Sequence, residues 1–309
     1  MSEARREAAR SVGLFVLTLV SVTLFSIPHG VVTGGAGWRD ALAFSVPLMA
    51  ILGAHEMGHY VVARMHGFRL TLPAFIPFPL AFGTMGAVIR LRSLPRSRQA
   101  LLEMGIAGPL AGAVVAFALL AVSMPWIGPP VDLPPFSPPD PAEVPDWMET
   151  GWFALLFGSP FEGRILIFND PLVVKVLGTW ILGAPPDRYA VYHPTTMAGW
   201  VGCLLTGINL VPIGQLDGGH VLNAVAPRVA GVVARWGPWV AIAAGVAWGG
   251  WVVWGVLLLV LGASRPLPID EHPPLPLRAR VLAGVGLGLF LLTFMPLPIE
   301  WETVIGATP

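Results

Sequence analysis

Long apolar runs alternate along this chain with short clusters of arginine, and most of the runs have the length of a membrane crossing. A hydrocarbon core takes about 20 apolar residues to span. Runs of this kind cover Ser11–Pro28, Ala41–Arg64, Ala100–Met124, Thr195–Pro212 and Arg278–Ile299. The run from Val229 to Leu261 is too long for one span and is interrupted at Gly249 and Gly250, which predicts two closely spaced helices, the second short. The pattern therefore predicts an all-α polytopic membrane protein with six or seven transmembrane segments.

Three stretches break the pattern. Leu70–Leu94 carries Pro73, Pro77 and Pro79 and then alternates like a strand after Gly83 and Gly86. Proline at that density ends helices. The stretch predicts a small re-entrant β-hairpin-like loop near the active site, tolerable in a membrane only where other helices cover its backbone. Pro125–Pro145 is dense in proline and predicts a semi-rigid extended linker. Trp152–Phe168 and Pro171–Leu182 are amphipathic and are expected to lie along the membrane surface as helices.

These readings divide the chain into a cytoplasmic tail (1–10), an N-terminal membrane half (11–124), an extracytoplasmic Pro-rich acidic insert (125–192), a C-terminal membrane half (193–299) and a short tail (300–309). Arginine distribution orients them, because cytoplasmic loops collect basic residues. Arg5, Arg6 and Arg10 put the N-terminus inside; Arg64, Arg69, Arg90 and Arg92 return inside two crossings later, as do Arg228 and Arg265 further on. The insert on the other side carries Asp132, Asp140, Glu143, Asp146, Glu149, Glu162, Asp170 and Asp187. The first ten residues precede an apolar run without a small-residue cleavage site, so an uncleaved anchor is expected. They also lack transit-peptide character, which favours a prokaryotic plasma membrane.

Composition agrees. The chain is 55% hydrophobic and 12% charged, against about 25% charged in soluble domains. Its net charge is zero, so no global field recruits nucleic acid. The single cysteine, Cys203, excludes a disulfide within the chain.

Against this background two runs carry ionisable groups. The first, AILGAHEMGHYVVAR, holds His55, Glu56 and His59; the second, TGINLVPIGQLDGGHVLNAVAP, holds Asp217, the only charged side chain between Thr195 and Pro227. A charge at mid-bilayer costs roughly 2.5–3.5 kcal/mol on the lenient insertion scale, so such residues are functional candidates. On a helix, His55 and His59 share one face and can chelate one Zn2+, with Glu56 to the side as a base. Catalytic zinc takes three protein ligands. Val62 and Met65 hold the places that a His-Glu-x-x-His-x-x-Gly-x-x-His continuation would need, and no Asp or Glu follows Glu56 until Glu103, so the ligand must come from another helix. Asp217, Glu103, His220 and His193 are the candidates, and Asp217 leads because Gly218 and Gly219 let backbone approach closely. Its bland reading is an N-cap of the following helix. Asn209 could donate its amide to a developing oxyanion, or could make an interhelical hydrogen bond. Both motifs lie toward the cytoplasmic side, at similar depth. The expectation is a metal-dependent hydrolase acting inside a membrane. The rivals are a membrane metal transporter and a non-proteolytic scaffold that use the same ligands.

These residues carry a resemblance. HEMGHY at His55–Tyr60 and NLVPIGQLDGG at Asn209–Gly219 resemble the two signature motifs of the site-2 protease family of intramembrane zinc metalloproteases. GTMGAVIR (Gly83–Arg90), AGPLAG (Ala107–Gly112), HPTTMAGWVG (His193–Gly202) and TFMPLPI (Thr293–Ile299) are also similar to that family, in its branch without a PDZ or CBS domain. The resemblance covers most of Ala41–Ile299. It implies zinc on His55, His59 and Asp217, with Glu56 as general base and Asn209 holding the scissile carbonyl. It further implies that Gly83, Thr84, Met85 and Gly86 pair with an unwound transmembrane segment of a membrane-protein substrate, and that the site opens to the cytoplasm. Glu103 stands where the family would lead one to expect aspartate.

Overall fold

The computed structural model describes residues 3–26, 37–78, 81–89, 97–130, 164–260 and 274–303. Nine α-helices, two 3-10 turns and four short strands are defined among them. The first membrane half contains α1 (Glu3–Ser26), α2 (Trp38–Met65) and α3 (Arg98–Ser123), with strands β1 (Ala74–Pro77) and β2 (Thr84–Val88) between α2 and α3. Then follow β3 (Arg164–Phe168), α4 (Leu172–Leu182), α5 (Pro194–Asn209), α6 (Asp217–Val225), α7 (Pro227–Ala244), α8 (Gly250–Val260), α9 (Leu277–Thr293) and β4 (Ile299–Thr303).

Every predicted apolar run contains a helix, including the pair separated at Gly249 and Gly250. Among the described residues, three helices are long and apolar enough to cross a membrane, over Arg5–Leu24, Trp38–Met65 and Arg98–Trp126. Their outward faces are apolar: Val12, Val16, Val20 and Leu24 on α1 are exposed, as suits a surface solvated by lipid tails. α1 begins at Glu3, so the helix continues through the charged start that reads as a tail.

α2 and α3 pack along each other, and both pack on α5. Small residues permit this. A side chain on Gly58 would strike the Ala107 backbone, one on Gly199 would meet Leu120, and one on Gly202 would meet Ile51. Close approach at glycine replaces the hydrophobic drive that lipid abolishes between apolar helices. The core lies at the crossing, where Phe44, Leu48 and Met49 of α2 meet Leu120 of α3 and the fully buried Trp200 of α5. Trp200 donates its indole N–H to the Asn169 carbonyl, 3.0 Å away, and so anchors the segment between β3 and α4.

The Leu70–Leu94 loop contains the expected hairpin. β1 and β2 pair antiparallel, with Ala74 opposite Val88 and Pro77 opposite Thr84. Gly83 and Gly86 have φ of 82° and 86°, which a side chain would strain. The hairpin runs down α1: Ser11 Oγ donates to the Pro73 carbonyl at 2.6 Å, Phe15 meets Phe75 edge-on, and Gly83 lies against the Val22 backbone. From Ser11 to Val22 is roughly 16 Å of helix rise, so the turn reaches deep beside a membrane helix.

The second sheet was not legible. Residues 164–168, expected at the end of an amphipathic helix starting at Trp152, instead form β3, which pairs with β4 from Arg164 opposite Thr303 to Phe168 opposite Ile299. RILIF is β-branched and aromatic, which favours a strand once a partner is present. That partner begins at Ile299 and takes up residues 300–303, which read as a tail. Of the expected Pro-rich linker, residues 125–130 are described: Met124–Trp126 form one 3-10 turn and Pro130 bridges antiparallel to Ala190. Residues 131–145 and 152–163, with Arg90, Arg92 and Arg96, lie outside the described residues. The segment Pro171–Leu182 is helical as α4.

Candidate metal centre

α2 and α6 supply the site, and α3 sets the distance between them. His55 and His59 stand one turn apart on α2, with their Nε2 atoms 3.1 Å from each other. Asp217 opens α6 and reaches both: His55 Nε2 lies 3.2 Å from Oδ2 and His59 Nε2 lies 3.2 Å from Oδ1. The two motifs, far apart in sequence, therefore meet. Donor atoms of all three residues lie within 4.8 Å of one another. Tetrahedral zinc with bonds near 2.0–2.1 Å separates its ligand atoms by about 3.3 Å, so one ion fits these spacings and this N, N, O donor set.

The ring of His59 is turned by a hydrogen bond. Its Nδ1 sits 2.8 Å from the Met104 carbonyl on α3. A carbonyl only accepts, so Nδ1 carries the hydrogen and Nε2 keeps its lone pair for a metal. α3 can lie this close because Gly105, Gly108 and Gly112 form one row of it. A side chain on Gly108 would occupy the place of the His59 ring, one on Gly112 would come within 3.1 Å of the His55 Cβ, and one on Gly105 would come within 3.1 Å of both the Asp217 carbonyl and the His220 Cβ. Gly218 and Gly219 do the same for α6, which folds back against the Leu210 and Gly214 carbonyls.

Asp217 is not an N-cap. Leu216 holds that position, and Asp217 is the first helical residue with its carboxylate turned to the histidines. Glu56 is 8% exposed and follows His55 directly on α2. Asn209 ends α5 and is half-buried; the alternative of an interhelical hydrogen bond has no counterpart among the described residues.

Of the other three ligand candidates, Glu103 and His193 are engaged elsewhere and His220 is not. Glu103 accepts from His66 and from Gln99, each at 2.7 Å. His193 caps the start of α5, accepting from the Thr195 N–H at 3.2 Å, against the Trp126 ring. The length of α5, about 24 Å, separates it from Asn209. His220 is close to the site, with a buried Nδ1 that has no partner among the described residues. Gly83, Thr84, Met85 and Gly86 sit on the hairpin against α1, and β2 also touches α2.

Sequence reasoning missed the glycine row of α3 as the seat of the histidines. Its trace was the spacing of Gly105, Gly108 and Gly112 in one apolar run.

The profile of peptidase family M50 matches residues 43–237, well over half of the chain and all of this site. The chain belongs to peptidase family M50. This is the family of site-2 proteases that the two motifs resemble, and with its apolar helices the M50 chain is an integral membrane protein. It is similar to "Probable zinc metalloprotease EGY2, chloroplastic" of Oryza sativa subsp. indica, 28% identical over 272 residues covering 85% of this chain and 44% of the relative. It is also similar to "Probable zinc metalloprotease EGY1, chloroplastic" of Arabidopsis thaliana, 26% identical over 270 residues covering 86% of this chain and 45% of the relative. The M50 chain thus spans less than half the length of these relatives. Among solved structures, the site-2 protease of Methanocaldococcus jannaschii aligns over 91% of this chain and 86% of its own, with 17% identity and a TM-score of 0.33.

Proposed function

We propose that the protein is an intramembrane zinc metalloprotease that hydrolyses peptide bonds within or next to transmembrane segments of membrane-protein substrates. One observation carries the reading: two imidazoles and a carboxylate from distant helices converge at ligand spacing, with a buried glutamate beside them. Family membership and the named zinc metalloproteases among its relatives support it. A transport path would need further ligands at other depths. Among the described residues, His55, His59 and Asp217 form one such group with no second along a path.

Bound by these three residues, zinc would supply a nucleophilic water at neutral pH and polarise the scissile carbonyl. Glu56 takes the proton from the attacking water and delivers it to the leaving amine. Asn209, at the inner end of α5, offers its amide to the carbonyl oxygen as charge develops. A substrate helix hides its peptide groups in its own hydrogen bonds, so it must unwind first. The hairpin replaces part of that bonding by adding the unwound segment as a strand along Gly83, Thr84, Met85 and Gly86. The basic clusters support an N-terminus and a site opening on the cytoplasmic side.

Cleavage of a reconstituted transmembrane peptide tests the reading. Glu56→Gln retains about one zinc per chain and loses activity by roughly 10²–10⁴-fold. Undiminished cleavage by that variant would remove Glu56 from the mechanism.

A further inference from the structure

Between α1 and the hairpin lies a cavity of about 770 Å3. Arg6 and Arg10 stand on its rim, and Leu14, Phe75, Ile76 and Val88 form its apolar wall. The periodicity of α1 explains the division. Glu7 and Ser11 share the row that α1 turns to the hairpin: Glu7 Oε1 accepts from the Leu72 N–H at 2.9 Å and Ser11 Oγ donates to the Pro73 carbonyl. Arg6, Arg10 and Leu14 form the adjacent row, each one turn beyond the last, and so line the same cavity without being used to close it. Both arginines are exposed, and neither forms a hydrogen bond or ion pair among the described residues. The rim stays net positive with Glu7 included.

Depth gives the cavity its chemistry. The apolar window of α1 is Arg5–Leu24, so Arg6 and Arg10 stand in its first turns, at the level of lipid headgroups. Leu14 lies about 12 Å along the helix from Arg6 and about 6 Å from Arg10, toward the acyl chains.

We propose that this cavity binds one anionic phospholipid, with its phosphate between the Arg6 and Arg10 guanidiniums and an acyl chain along Leu14, Phe75, Ile76 and Val88. Guanidinium groups match phosphate with paired N–H donors. Basic pockets beside membrane helices are the recurring sites for such headgroups. A free phosphate would use the rim and leave the apolar wall idle, and a zwitterionic lipid would bring a cation to two arginines. Because β1 lines the same cavity, the bound lipid braces the hairpin against α1. The site stands on its own geometry, whatever chemistry the metal centre performs.

Native mass spectrometry of the full chain in detergent tests this, with phosphatidylglycerol or phosphatidylcholine added at equal concentration. The wild type retains one phosphatidylglycerol per chain, at least ten-fold more than phosphatidylcholine. Arg6→Gln/Arg10→Gln lowers that retention at least ten-fold, whereas Arg235→Gln, at an exposed arginine of α7, leaves it unchanged. Each single variant falls several-fold, which keeps the test decisive if the double variant alters the circular dichroism spectrum. Millimolar inorganic phosphate does not displace the lipid. Equal retention of both lipids, or undiminished retention in every arginine variant, overturns the proposal. Displacement by phosphate assigns the rim to a free anion, and displacement by a polyglutamate peptide assigns it to a protein segment; either also overturns it.

Discussion

Gly108 of α3 gives the place of its missing side chain to the imidazole of His59. That space lets the ring lie on the helix backbone and its Nδ1–H donate a hydrogen bond to the Met104 carbonyl, which fixes the direction of Nε2. A metal ligand is therefore placed by a residue that has no functional group.

Gly108→Ala should accordingly act like a ligand mutation. The added methyl overlaps the ring, so His59 must leave its seat or α3 must move. A loss of at least ten-fold in zinc affinity is expected, in the range seen when groups that orient a ligand are removed. Gly112→Ala, whose methyl would sit 3.1 Å from the His55 Cβ, should cost less. Competition with a chromogenic chelator measures both; equal affinities for Gly108→Ala and wild type would show that α3 does not seat the ring.

Gly83→Ala tests the hairpin. The residue combines a φ of 82° with contact against the Val22 backbone, so alanine adds both strain and overlap. The unfolding midpoint should drop by on the order of 5 °C, with zinc content unchanged. Cleavage of a transmembrane peptide should fall more than cleavage of a short unstructured one, because only the former needs a strand to receive it.

The helices were legible because each lies in an apolar run, and three of those described are long enough to cross a membrane. The ligands were legible for the opposite reason, since His55, Glu56, His59 and Asp217 break the apolar pattern. Two kinds of feature were harder to read. β3 and β4 pair across more than a hundred residues, and RILIF alone is compatible with a helix or a strand until its partner is known. The role of Gly108 is invisible in sequence because a glycine in an apolar helix reads as packing in general, whichever side chain fills the space.

Asp170 should make stability depend on pH. Burial pushes its carboxyl up to about 6, against the opposing pull of the Tyr192 hydroxyl 2.6 Å away and of Lys175. An unfolded aspartate titrates near 3.9, so between roughly pH 4 and 6 the folded chain holds the extra proton. Stability contributed by this group therefore falls as pH rises through that window. Thermal unfolding in detergent should show the decline in wild type and a flatter profile in Asp170→Asn. A decline of the same slope in the variant would assign it to another group.

The central claim is that two motifs far apart in the chain make one metal centre. Zinc content of the detergent-purified chain tests it directly, in wild type, His59→Ala and Asp217→Ala. About one zinc per chain in wild type, lost in both variants, is the result expected from the ligand spacing. Full zinc retention in Asp217→Ala would contradict it, since the metal would then be held without the carboxylate that joins α6 to α2.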